Sequence, residues 1–564
     1  MKGSIFYLMF FMLLTISCQP EKNIYDLIIF NAEVHTLDDQ NTIVEAIAIK
    51  DGIIEQLGTT VDIQKLEAKE SIDAQNAFVM PGFIEGHGHF SSLGYSLINL
   101  NFIKTQSWDE IVKMVEEKVK DAEPGEWIEG RGWHQEKWIE SPGETTYGYP
   151  SHDKLSEISP DNPVILGHAS GHGLFANAKA MEIAGLSVET PNPAGGRIVR
   201  DSDGEAIGVF EERAMSVIRK AHQEYLDGLS QDELKAKWYE GIKLAEKECL
   251  KKGVTSFEDA GSSFEECGRY ENLAEDGNLD VRLWVMVRTS IEDLKNNIAK
   301  HRMINVGNKF YTCRAIKTSI DGALGSYGAW LLQGYSDKQD FIGQNTTSIE
   351  DVKEISKIAA DNDMQYCVHA IGDRANREVL DIFSTFVDPN KDMRWRIEHA
   401  QHLHPDDIPR FGELGIIPAM QGIHCTSDSP FVVKRLGEKR AKEGAYAWRS
   451  LMDTGAIIAN GTDVPVEDVD PIPSFYASIT RKRADNKLIF YPMQKMTRLE
   501  ALKSYTINNA YAAFEEDYKG SLEKGKVGDV VILSENLMTC TDDEILDTKV
   551  MYTIVNGEIK YKGF

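Results

Sequence analysis

Pro81-Gly82-Phe83-Ile84-Glu85-Gly86-His87-Gly88-His89 closes an apolar run that begins at Ala77 and holds Phe78, Val79 and Met80. Side chains alternate faces along a strand, so His87 and His89 point the same way. Two imidazoles on one face can chelate a single metal ion. Gly86 and Gly88 remove the intervening side chains and let the backbone bend. Taken alone, the same spacing also describes two half-buried polar histidines, so the rest of the chain decides.

Four further apolar, strand-like runs end in polar groups. They are Ala315-Ile316-Lys317, followed by Asp321-Gly322; Cys367-Val368-His369; Arg396-Ile397-Glu398-His399; and Ala456-Ile457-Ile458-Ala459-Asn460-Gly461-Thr462-Asp463. Helical patterns alternate with them. Ser230-Gln231-Asp232-Glu233 is a capping box that opens an apolar stripe of Leu234, Trp238, Ile242 and Ala245. That helix stops before the strand-like Gly253-Val254-Thr255-Ser256-Phe257. Ser348 starts a second helix and Thr497 a third. Repeated βα units over about 400 residues favour a closed parallel sheet over a β-sandwich. In such a barrel, polar residues at the strand C-termini converge on one mouth. His87, His89, Lys317, His369, His399 and Asp463 are therefore expected to meet.

The two ends of the chain have a different texture. Short alternating strands occupy 25–80, with Asp51-Gly52 as a hairpin turn, and 520–564, with Asn556-Gly557 as another. The expected fold class is thus α/β. A TIM-like (β/α)8 barrel at 81–519 carries a small β-sandwich domain built from both chain ends. An insertion at about 91–210 follows the first barrel strand and is expected to cover the mouth. It contains a helix capped by Ser107 and the Trp127–Trp133 stretch WIEGRGW.

The chain has 564 residues and a formal net charge of −28. So acidic a surface repels phosphate backbones, which argues against nucleic-acid binding. The apolar run from Ile5 to Ile16, before Ser17-Cys18, has the form of a signal peptide. Its ending resembles a bacterial lipoprotein signal, with Thr15 where Leu is usual. Residues 1–17 are then removed, and a lipid anchor on Cys18 is the expected membrane link of an exported, cell-envelope protein; plain secretion with cleavage near Ser17 is the alternative. The seven cysteines show no regular spacing and suggest buried side chains rather than a disulfide framework.

The order H-x-H, Lys, His, His, Asp on a barrel flanked by a split β domain resembles the metal-dependent amidohydrolase superfamily. Within it the chain is similar to amidohydrolase family 3, the YtcJ-like hydrolases. The segments that carry the likeness are Pro81 to His89, Gly253 to Ala260, Lys317 to Gly325, Val368 to Asn376, Arg396 to Gln401, Gly461 to Glu467 and Ser521 to Asp529. The resemblance implies that His87 and His89 hold a more buried metal, and His369 and His399 a second. Lys317 would bridge them as a carbamate, because an ammonium cannot bind a cation whereas a carbamate offers two anionic oxygens. Asp463 would bind metal and take the proton from an attacking water whose pKa the metal lowers. The implied cofactor is one or two divalent ions, zinc above all. Imidazole and carboxylate ligands also accept manganese, iron, cobalt or nickel, and a single-metal site would leave Lys317 unmodified.

The resemblance points to a hydrolase that cuts a non-peptide C–N bond of a small molecule, such as an N-acyl or N-formyl amide. An ester or lactone hydrolase is the alternative on the same site, and a non-catalytic surface binding lipoprotein is the alternative from another class. For substrate contacts the candidates are His172, His424, Arg131, Trp133 and Trp138. Glu85 stands where the superfamily usually has Asp and is expected behind the ligands. Gln421-Gly422 stands where the branch usually has Gln-Pro. Nothing in the sequence names the amide, and assembly into a homo-oligomer is left open.

Overall fold

The structure is a computed structural model. It describes residues 24–563 other than 136–137, 141, 170–172, 194–195, 389 and 486–487. The expected signal peptide, Cys18 and His172 lie outside the described residues.

Eight strands make a parallel sheet that curls almost into a closed barrel: β1 (Phe83–Gly88), β2 (Val254–Ser262), β3 (Arg282–Val287), β4 (Tyr311–Ser319), β5 (Gln365–Ala370), β6 (Arg396–His399), β7 (Ile417–Gln421) and β8 (Ala459–Gly461). Each pairs in parallel with the next in chain order. Their residues are almost all buried, as expected of a parallel sheet covered by helices. The helix Gln231–Lys251 begins at the capping box read from the sequence. It packs so tightly on the helix Phe90–Ile98 that a Cβ on Gly94 would come inside 3.0 Å of the Gly241 backbone.

No ladder joins β8 to β1 among the described residues. Side chains and single backbone bonds close that seam instead. The Asp463 N–H donates to the His87 carbonyl at 2.7 Å, and the His89 N–H to the Val464 carbonyl at 2.8 Å. Asn509 Nδ2 donates to the carbonyls of Ile84 at 2.7 Å and Asn460 at 2.8 Å, one on each strand. The Glu85 carboxylate accepts the Thr462 N–H at 2.7 Å, the Thr462 hydroxyl at 2.9 Å and the His87 N–H at 3.2 Å.

The chain ends form two sheets. Tyr25–Phe30, Ala46–Lys50, Ile53–Gly58 and Ala68–Asp73 make one. The other joins Glu33–His35, Ile43–Val44 and Phe78–Pro81 to Val530–Leu533, Val550–Val555 and Glu558–Lys562. Leu27, Ile29, Ile47 and Ile49 of the first share a buried cluster with Val34, Val79, Ile532 and Ile554 of the second. Asp51-Gly52 and Asn556-Gly557 do turn hairpins, all four residues at positive φ.

Between β1 and β2 a separate six-stranded sheet runs from Leu100–Asn101 to Ala206–Glu212. It has its own core around Trp108, Trp133, Phe175 and Val209. Two contacts reach the loop that follows β8: Arg131 Nη1 donates to the Pro465 carbonyl at 3.0 Å, and Lys104 lies 3.6 Å from Asp468.

Candidate metal centre

Because β1, β4, β5, β6 and the turn after β8 end at the same mouth, their terminal side chains share one space. The His87 and His399 rings are 4.7 Å apart between centroids, and His369 and His399 4.4 Å. His89 Nε2 lies 3.2 Å from Asp463 Oδ1, and His87 Nε2 3.7 Å from the same oxygen. Lys317 Nζ is 3.4 Å from His87 Nε2. His87, His399 and Asp463 each offer a ligand atom, and these three atoms all lie within 4.8 Å of one another. The structure thus gathers all six residues expected at the mouth.

Backbone shape is part of the arrangement. His399, Ala400 and Asp463 have φ of 74°, 42° and 59°, a region that side chains other than glycine rarely occupy. Such conformations persist where the surrounding structure over-determines them, and they cluster at functional sites.

Burial shapes the charges. It draws the His87 imidazole down to about 4 and His369 to about 3, helped in both cases by the Lys317 charge. His399 falls well below its usual value through burial and the neighbouring histidines. These rings are therefore neutral near pH 7, the form that binds a metal. Burial also lowers Lys317, against the pull of Glu398 and Asp463. On Asp463 burial acts upward, but the hydrogen bond from His89 and the imidazoles around it hold the carboxyl well below the usual range. A converging set of neutral nitrogens and one carboxylate suits a divalent metal ion.

The partners behind these side chains could not be assigned from the sequence. His87 Nδ1 faces Glu398, and His399 Nδ1 faces Gln421 Oε1 at 2.7 Å. Asp321 lies 3.6 Å from His369 Nε2 and accepts the N–H groups of Trp330, Ile371 and Gly372. Each partner sits one to four residues from a candidate site residue, and this adjacency is the signal that the sequence carries. Glu85 lies behind the site as a clamp across the barrel seam; burial pushes its carboxyl up to about 8, partly offset by the Thr462 and His87 donors. Gly422 has a physical reason too. Its N–H donates to Asn460 Oδ1 at 2.8 Å, a bond proline cannot make.

The substrate candidates divide. His424 is buried with its ring stacked on His399 at 6.4 Å and Nδ1 3.1 Å from Gln401 Nε2; its Nε2 has no hydrogen-bond partner among the described residues. Arg131 is half-buried beside the loop carrying Asp463. Trp133, expected to line the pocket, is instead inside the core of the six-stranded sheet. Its indole N–H donates to the Leu166 carbonyl at 2.8 Å, so it presents no face to a ligand. Trp138 packs against Trp133 and Trp108 in the same region.

A family model described as the amidohydrolase family matches residues 70–561. The chain belongs to the amidohydrolase family. The chain is 31% identical to Protein LONG AFTER FAR-RED 3 of Arabidopsis thaliana, over 96% of this chain and 92% of that protein. It is 26% identical to the N-substituted formamide deformylase of Arthrobacter pascens, over 95% and 98% of the two chains. A solved structure of a metal-dependent hydrolase of Pyrococcus horikoshii OT3, itself uncharacterised, superposes with a TM-score of 0.74 at 26% identity, covering 92% of this chain and 99% of that one. As a member of this family, the chain is a hydrolase with a small-molecule substrate.

Proposed function

We propose that this amidohydrolase cleaves a non-peptide C–N bond of an N-acyl or N-formyl amide, with the small sheets at the chain ends as a supporting β-sandwich and the insertion as one wall of the pocket. The observation that carries the reading is the convergence of His87, His399 and Asp463, whose ligand atoms lie within 4.8 Å of one another. The similarity to a formamide deformylase supports the choice of bond.

His87, His89, His369, His399 and Asp463 would hold one or two divalent ions, with Lys317 as a carbamate bridge if there are two. A bound divalent ion polarises the scissile carbonyl and lowers the pKa of water. Asp463 takes the proton from the attacking water and then gives it to the amide nitrogen as the C–N bond breaks, leaving a carboxylic acid and an amine. Its position supports both transfers, because Oδ1 lies 3.7 Å from His87 Nε2 and 3.2 Å from His89 Nε2. His424, with a buried nitrogen that has no hydrogen-bond partner among the described residues, and Arg131 would orient the substrate.

The test joins elemental analysis of the purified protein to a panel of N-formyl and N-acyl amides with matched esters. Expected are a stoichiometric divalent metal and turnover of amides that is abolished in His87→Ala. Full activity in Asp463→Asn would exclude the proton transfer. Faster cleavage of the matched esters would favour the ester reading, and absence of metal a binding role. Export with a lipid on Cys18 belongs to the same proposal, and loss of fatty-acid labelling in Cys18→Ser tests it.

A further inference from the structure

The barrel interior holds an unusual object for a place normally filled by branched apolar side chains. Glu258 on β2 and Arg396 and Glu398 on β6 are all fully buried. The Arg396 guanidinium joins them: Nε donates to Glu398 Oε1 at 2.7 Å, Nη2 to Glu398 Oε2 at 3.1 Å, and Nη1 to the Glu258 carboxylate. Nη2 also donates to the Gly86 carbonyl at 2.7 Å. Glu398 Oε2 in turn meets His87 Nδ1. One guanidinium therefore grips His87 twice, at the backbone just before it and, through Glu398, at its ring.

Stability is a weak reason for such a group. Burying a guanidinium and two carboxyl groups carries a desolvation cost that apolar residues of similar volume avoid, and replacing buried ion networks with them is often neutral or stabilising. Orientation is a better one. A carboxylate paired with arginine accepts hydrogen bonds and donates none, so the His87 nitrogen facing it must carry the ring proton. The other nitrogen, Nε2, is then left with a lone pair directed at Asp463 and Lys317.

We infer that Arg396 and Glu398 are positioning residues that lock His87 as its Nδ1–H tautomer and aim Nε2 into the metal centre. The inference rests on the proposed function only in that His87 serves as a ligand there. Lysine cannot replace Arg396, because a single ammonium lacks the planar fork that reaches Glu398, Glu258 and the Gly86 carbonyl together.

The first measurement uses wild-type apoprotein labelled with ¹⁵N-histidine, with the His87 signals identified by their loss in His87→Asn. The expected pattern is a protonated Nδ1 and an unprotonated Nε2; a protonated Nε2 at neutral pH overturns the inference. The second compares zinc affinity by chelator competition in the wild type, Glu398→Gln and Arg396→Lys, with circular dichroism to show that each folds. The dissociation constant is expected to rise by about 10–100-fold in both variants, with a shifted visible spectrum of the cobalt-substituted protein. Folded variants that bind zinc as tightly as the wild type overturn the inference. A wild type that binds no metal defeats the proposed function instead and leaves the tautomer, read in apoprotein, standing. Where a variant fails to fold, the wild-type spectrum decides.

Discussion

At the scale of single residues, the closest tolerances lie along the barrel seam. Gly461 has no room for a side chain: a Cβ would come inside 3.0 Å of both Glu85 Oε1 and the His87 backbone nitrogen. Neither can retreat easily, since Glu85 is held by Thr462 and His87 belongs to β1. Gly461→Ala is expected to cost about 1–3 kcal/mol through this overpacking and to weaken metal binding as β8 moves from β1. A thermal melt and a zinc titration would check both, and a wild-type melt would show the seam to be looser than described. Asp463→Asn tests the chemistry in the same neighbourhood. It keeps the side-chain volume and removes the proton acceptor, so turnover is expected to fall by about 10²–10⁴-fold in protein that circular dichroism shows to be folded. The meeting of His87, His89, Lys317, His369, His399 and Asp463 at one mouth was legible because each ends an apolar run. Glu398 was legible only as a neighbour of His399.

At the scale of elements, local signals served best. The capping boxes at Ser230 and Thr497 start helices where expected, and Ser107 and Ser348 cap theirs. What ties one element to another was hidden. Glu129, on the strand Ile128–Trp133, pairs with Lys237 at 3.0 Å on the helix Gln231–Lys251, and so fastens the inserted sheet to the barrel. Burial works against this carboxylate, but His222 and Lys237 outweigh it and hold its pKa at about 2, below the usual 4.5. The sign follows from linkage. Above pH 4.5 the carboxylate is charged whether the chain is folded or unfolded, and its full stabilisation is present. As the pH falls from 4.5 towards 2 the unfolded chain takes up the proton first, and the stabilisation is lost. Glu129→Gln is thus expected to lower stability by about 1–3 kcal/mol at pH 7, with the gap closing by about pH 2. Urea unfolding of the two proteins across this range measures it, and a gap independent of pH would rule the pairing out as the cause.

At the scale of the whole molecule, the barrel brings together side chains from five points spread over Phe83 to Asp463, and it does so with no ladder between β8 and β1 among the described residues. A ligand that binds only this folded arrangement stabilises it by mass action. With metal at 100 times its dissociation constant the gain is about 2.7 kcal/mol, so chelation is expected to lower the melting temperature and readdition of zinc to restore it. Identical melts with and without chelator would mean that the mouth holds no ion. The inserted sheet sets Arg131 against the Pro465 carbonyl, in the loop after Asp463, but turns Trp133 into its own core. Alternation along a strand offers two faces, and which one a tryptophan takes depends on what packs behind it.

The chain alone determined what is periodic or local: strands ending in ligand-type residues, helix starts, hairpin turns, and the order of groups that marks the family. Those features depend on neighbours a few residues away, so their physics can be read in one dimension. Tertiary structure decided which atoms meet. The contact between His87 and Glu398 joins residues 311 positions apart, and the clamp of Glu85 on Thr462 spans 377. Strand alternation says that a side chain points into a barrel, whereas the stagger and tilt of eight strands set the depth at which it arrives and the partner waiting there.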